Sequence, residues 1–160
     1  MGWSQHHPVG LIYSAPQRCF RGYTLTSNNR GNHARLIDLE GRICHQWQSD
    51  QGIGYAYLLP SGNLLLRTGP PEDAGGAETI GGSSGAILEL DWDSNVVWEY
   101  QNPYIHHDYE RLPNGNTLVL LWELLSAELT AAIQGGRPTD EDPEQMFGDV
   151  VKEIAPDGTV

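Results

Sequence analysis

Basic residues are scarce in this chain: nine Lys and Arg stand against 21 Asp and Glu, a formal net charge of −12 over 160 residues. Nucleic-acid backbones and anionic membrane surfaces are bound through clustered Lys and Arg, so the composition argues against both as partners. An anionic small substrate would need a locally basic or histidine-lined pocket. Cysteine is scarcer still. Cys19 and Cys44 do not make a disulfide framework and read as free thiols of a reducing compartment. No apolar run approaches the roughly 18 residues of a membrane-spanning helix. The opening MGWSQHHP lacks the basic start and apolar stretch of a secretory signal. The expected compartment is the cytoplasm, or the periplasm if a leader precedes this sequence. Neither a nucleophile elbow around Ser or Cys nor a Walker-type loop is present.

What the chain does have is glycine, proline and aromatics, with 19 Gly, 10 Pro, 5 Trp and 7 Tyr, the content of a turn-rich β protein about one domain long. It also has a repeat. Residues 37–67 lie on residues 90–120 without a gap, matching Asp38/Asp91, Leu59/Leu112, Pro60/Pro113, Gly62/Gly115, Asn63/Asn116 and Leu65/Leu118, with Trp47/Tyr100 as an aromatic match. A third copy opens at Val151, with Ile154 matching Leu90.

Pro60-Ser61-Gly62-Asn63 and Pro113-Asn114-Gly115-Asn116 are hairpin turns by composition, and Leu39-Glu40-Gly41, Trp92–Asn95 and Pro156-Asp157-Gly158 mark a second turn in each copy. The flanks 34–38, 43–47, 86–91, 96–100 and 117–122 are rich in β-branched, Leu and aromatic residues and read as strands. The expected fold is all-β. It consists of β-propeller blades, about two and a half to three four-stranded units at 34–67, 86–122 and 150–160, following an N-terminal extension over 1–21. That number is incomplete beside a six-bladed ring and raises the expectation of self-association to close it.

Two segments interrupt the pattern. Residues 69–85 (GPPEDAGGAETIGGSSG) read as a flexible connector. Over 124–149 an insertion is expected, with Leu121, Leu125, Leu129 and Ile133 at helical spacing, Ser126 as cap and Gly135-Gly136 as stop, followed by an exposed RPTDEDPEQ.

The chemistry-bearing cluster is His106-His107-Asp108, just ahead of the second PNGN turn. On a regular strand His106 and Asp108 project to one face and His107 to the other. Imidazole serves as base, acid or nucleophile, and a carboxylate beside it fixes the tautomer. Ile53 and Gly54 occupy the same positions in the first copy, so the repeat does not need the histidines. Hydrogen-bonded imidazoles at a strand end are the competing structural reading. A metal site is disfavoured because strand neighbours point apart. Asp91–Asn95 resembles the start of a calcium loop but has Val96 where Gly is required. His6-His7, His33 and Cys44-His45 are weaker candidates. Arg67 and Arg111 are the cations nearest the cluster that could hold an anionic group.

Taken together, Gly22–Leu25, Leu36–Ile43, Tyr57–Leu64, Leu90–Asp93 with Val96–Tyr100 (VVWEY), and His106–Asp108 leading to Leu112–Leu118 (LPNGNTL) resemble the bacterial arylsulfotransferases over about 22–160. The resemblance implies a six-bladed propeller that moves a sulfuryl group from a phenolic sulfate ester to a phenol, through a sulfated histidine and without a cofactor. It implies His106, His107 and Asp108 as catalytic residues, leaves open which histidine is sulfated, and suggests Arg67 and Arg111 as substrate-binding groups. The family's other channel residues belong to further blades, so only part of the catalytic set is expected here. A non-catalytic propeller binding module and a quinone-dependent propeller oxidoreductase are the competing functions.

Overall fold

The computed structural model describes residues 10–29, 31–73, 80–135 and 146–160. They form an all-β protein with strands β1 (Thr24–Ser27), β2 (Gly31–Ile37), β3 (Ile43–Ile53), β4 (Tyr55–Leu58), β5 (Leu64–Arg67), β6 (Ser83–Leu90), β7 (Val96–Arg111), β8 (Thr117–Leu124) and β9 (Phe147–Ile154). One short helix, α1 (Ala127–Ala132), lies between β8 and β9. Strands β1–β3 make one antiparallel sheet, and β4–β9 follow one another in chain order through a second.

Five hairpin turns close by one device. The backbone N–H of Asp38, Leu59, Asp91, Leu112 and Ala155 donates to the carbonyl four residues on, at 2.8 to 3.0 Å. The residue before that carbonyl has positive φ, a conformation glycine adopts without strain; it is Gly41, Gly62, Gly115 and Gly158, with Ser94 (φ 69°) in the fifth turn. In the Asp91 turn, Oδ1 accepts the amides of Asp93 and Asn95, and Oδ2 accepts the Asn95 side-chain amide. These donors, the Asn95 side chain foremost, hold the Asp91 carboxyl below its ordinary range. The residues that resemble a calcium loop are therefore a hydrogen-bonded turn.

The repeat holds in the pairing register. Leu64↔Leu90 and Leu65↔Glu89 recur as Thr117↔Ile154 and Leu118↔Glu153. Asn63 donates to Glu89 Oε1 at 2.7 Å, and Asn116 to Glu153 Oε1 at 2.6 Å. Trp47 Nε1–H donates to the Asp91 carbonyl and Trp98 Nε1–H to the Pro156 carbonyl, both at 3.0 Å. Trp98, which the repeat overlays on His45, thus takes the part that the overlay assigned to Tyr100. His45 and Trp47 lie two apart on a strand and share a face, so either position can deliver an indole.

Strands β5 and β6 are covered on both faces, and alternate residues feed two cores. Leu64, Leu66, Ala86, Leu88 and Leu90 join Ala34, Trp47 and Ile53 on one side. Leu65 and Ile87 join Ile105, Tyr109, Val119, Leu121 and Ile154 on the other.

The helical insertion is shorter than its apolar spacing suggests. Leu121 is a buried residue of β8, not of a helix, and pairs with Ile105 and Val150 on the two neighbouring strands. Helix α1 begins only after Ser126, whose Oγ accepts the Leu129 amide at 3.2 Å. Gly136 and the RPTDEDPEQ segment lie outside the described residues, as do His6 and His7.

Candidate active site

Strand β7 extends well past the 96–100 span expected for it. Its first part pairs with β6 and its last part with β8, and between them the register slips: Ile105 faces Leu121 and Tyr109 faces Val119. Four residues of β7 thus advance against two of β8, a bulge that falls on His106-His107-Asp108. In the first copy the overlay sets Ile53 and Gly54 opposite His106 and His107, and the left-handed residue of that bend is Gly52 (φ 82°), which overlays Ile105. In the second copy the left-handed residue is His107, at φ 53°. Left-handed backbone on a non-glycine residue costs about 1–2 kcal/mol.

The bulge overturns the strand alternation expected for the histidines. His106 and His107 do not point to opposite faces; their Nδ1 atoms meet at 3.0 Å, with rings 5.2 Å apart and nearly perpendicular. His106 is 3% exposed and stacks on Trp122 at 4.2 Å between ring centres, whereas His107 is exposed. Burial pushes the His106 imidazole below its ordinary value of 6.5, with the neighbouring His107 adding to the effect and Asp149 opposing it. His106 is therefore the shielded member of the pair, and its burial favours the neutral form.

Among the described residues Asp108 makes no hydrogen bond to either ring. Its Oδ1 accepts the amide of Tyr109 at 2.9 Å. The carboxylate facing His106 comes from Asp149 on β9, with Oδ1 3.3 Å from Nε2. That contact is within ion-pair reach but off hydrogen-bond alignment, so Nε2 is buried without a hydrogen-bond partner among the described residues.

Of the two arginines, one is brought to the pair. Arg67 Nη1 donates to the Gly82 carbonyl at 3.4 Å, and the same carbonyl accepts the His107 amide at 3.0 Å. Arg111 sits near the other end of β7, paired with Glu89 at 3.0 Å and lying over the Trp98 ring at 4.7 Å. Its charge is paired there through Nη1, away from the histidines.

Sequence reasoning missed three contributors: Trp122, Asp149 and Gly82. Gly82 belongs to the stretch expected to be a plain connector, yet its backbone anchors both Arg67 and His107. It also leaves the space that the His107 ring fills, since a Cβ on Gly82 would stand 2.5 Å from His107 Cε1 and Nε2. Its φ is +89°. Gly82→Ala should therefore move the His107 ring and cost about 1–2 kcal/mol, measured by urea unfolding and by the His107 ring resonances.

A second prediction follows from the burial of His106. Its folded-state pKa is lowered, so the unfolded chain takes up the proton first as pH falls. The contribution is fully present above the ordinary value of 6.5 and is lost as pH drops through the lower folded value. The carboxyls of Asp38, Asp91 and Asp157 are held below 3.8 and act only in stronger acid. Tm should fall as pH drops below the ordinary value of 6.5, and His106→Gln should flatten that limb in a thermal melt series.

No protein-family model matches the chain, and no curated protein matches it. Among solved structures it is similar to the crystal structure of a protein of unknown function from Bacteroides caccae, with 15% identity and a TM-score of 0.49 over 92% of this chain and 46% of that one. The chain thus spans about half the length of the protein it matches. Among the described residues no helix is long and apolar enough to cross a membrane.

Proposed function

We propose that this chain is an arylsulfotransferase-like protein made of propeller blades, carrying part of a catalytic set that moves a sulfuryl group from a phenolic sulfate ester to a phenol through His107. The observation that carries the reading is the exposed His107 imidazole, held in a left-handed bulge and joined at 3.0 Å to a buried neutral His106. Strain held at an exposed imidazole is characteristic of a functional position. The recurring strand register and the two indole clasps support the blades.

In the first step the His107 Nε2 lone pair forms an N–S bond while the ester S–O bond breaks. The phenolate leaves with that electron pair and takes a proton from solvent, and the Nδ1 proton of His107 passes to His106 Nδ1. In the second step the acceptor oxygen attacks sulfur, the N–S pair returns to Nε2, the acceptor proton goes to solvent, and His106 returns its proton to His107. Splitting the transfer in this way replaces one difficult step by two easier ones. Arg67, anchored beside His107 through Gly82, supplies positive charge for the sulfuryl oxygens.

The test is to mix the chain with phenyl sulfate, quench with base and map the peptides by mass spectrometry. One SO3 group on His107 together with phenol release is the expected result. Neither adduct nor phenol would overturn the reading and leave the non-catalytic binding module.

A further inference from the structure

We infer that Asp149 is a positioning residue that selects the tautomers of the histidine pair: its carboxylate keeps the His106 proton on Nε2, which leaves His107 protonated on Nδ1 and unprotonated on Nε2. The chemical consequence rests on the sulfuryl-transfer reading above; the tautomer assignment stands on geometry alone.

Two rings whose Nδ1 atoms stand 3.0 Å apart must share one proton, because two lone pairs or two N–H groups would repel. Which ring donates is decided at the far side of His106. Asp149 is the cross-strand partner of Trp122 in the β8–β9 register, so its side chain and the indole occupy the same face. The indole covers the plane of the His106 ring, and the carboxylate meets its edge at Nε2, 3.3 Å away. A lone pair there would face an anionic oxygen across a buried boundary, whereas an N–H is attracted to it.

With Nε2 protonated, neutral His106 offers its Nδ1 lone pair, so His107 must donate from Nδ1. The free lone pair of the pair then lies on the exposed ring. The groups facing His106 are Asp149 from β9, His107 on β7 itself, and the Leu121 carbonyl and Trp122 indole from β8. When His106 accepts the proton in the first transfer step, Asp149 also stands against the resulting imidazolium.

The experiment is long-range 1H–15N correlation on the full chain with 15N-labelled histidine, using His106→Gln and His107→Gln to assign the rings. In mildly alkaline solution the wild-type protein should show His106 protonated on Nε2 and His107 on Nδ1. Asp149→Asn should mix the tautomers of both rings and lower the His106 titration midpoint by about half a unit, and Asp149→Glu should restore both. The Asp149 side chain is 70% exposed, so the substitution is compatible with folding, and molar salt on the wild-type protein should lower the midpoint in the same direction. Unchanged spectra in Asp149→Asn, or the same changes produced by Asp108→Asn instead, would overturn the inference. A chain that fails to cleave phenyl sulfate but shows these spectra loses the sulfuryl-transfer reading and keeps the role of Asp149.

Discussion

Trp47→Ala should cost about 3–5 kcal/mol of folding stability, a large share of what typically holds a domain folded. The indole is fully buried in the core shared by β2, β3, β5 and β6. Its N–H is used as well as its area, because Nε1 donates to the Asp91 carbonyl and ties the first unit to the turn after β6. Its ring also meets those of His45 and Trp92 edge-on, at 4.3 and 5.2 Å. Removing the side chain leaves a large cavity and a carbonyl without its donor. Trp47→Phe keeps part of the volume and loses the hydrogen bond, so it should fall between the wild type and the alanine variant. Urea unfolding followed by circular dichroism measures both; a loss under about 1 kcal/mol for the alanine variant would show that the two units are not held together through this residue.

His107→Gly should abolish sulfuryl transfer while leaving the fold as stable as before or more so. Loss of the nucleophile is expected to reduce phenol release from phenyl sulfate by at least about 10³-fold. Stability should move the other way. A glycine at φ 53° relieves left-handed strain worth about 1 kcal/mol, as Gly52 does at the bend of the first copy. His106→Gln should reduce transfer by a smaller factor, about 10²-fold, because it removes the proton acceptor but not the nucleophile. A His107→Gly variant that is both strongly destabilised and still active would contradict the assignment on both counts.

The all-β class, the five hairpin turns and the recurrence of the unit were legible in the amino-acid sequence. Turn chemistry is local: a left-handed position wants glycine, and an aspartate at a turn start accepts the amides that follow it, whatever lies farther away. The repeat noted along the sequence reappears in the structure as matching registers of β5 with β6 and of β8 with β9, because register follows from turn position and side-chain alternation. The same alternation failed where the chain departs from it. Leu121 and Leu125 match a helical spacing as well as a strand, and only the pairing of β8 with both neighbours, which satisfies the backbone hydrogen bonds, made Leu121 a strand residue.

The site divides along the same line. The sequence by itself determined which residue types stand at His106, His107, Arg67 and Asp108, and that the repeat does not require the two histidines. The tertiary structure decided which of them meet. A bulge of two extra residues turned both imidazoles together, Asp108 met its own neighbour's amide and Arg111 met Glu89, while Gly82 came from the turn before β6 and Trp122 and Asp149 from β8 and β9. Composition and periodicity describe a chain along one dimension, whereas these contacts come from cross-strand register and from the local loss of it.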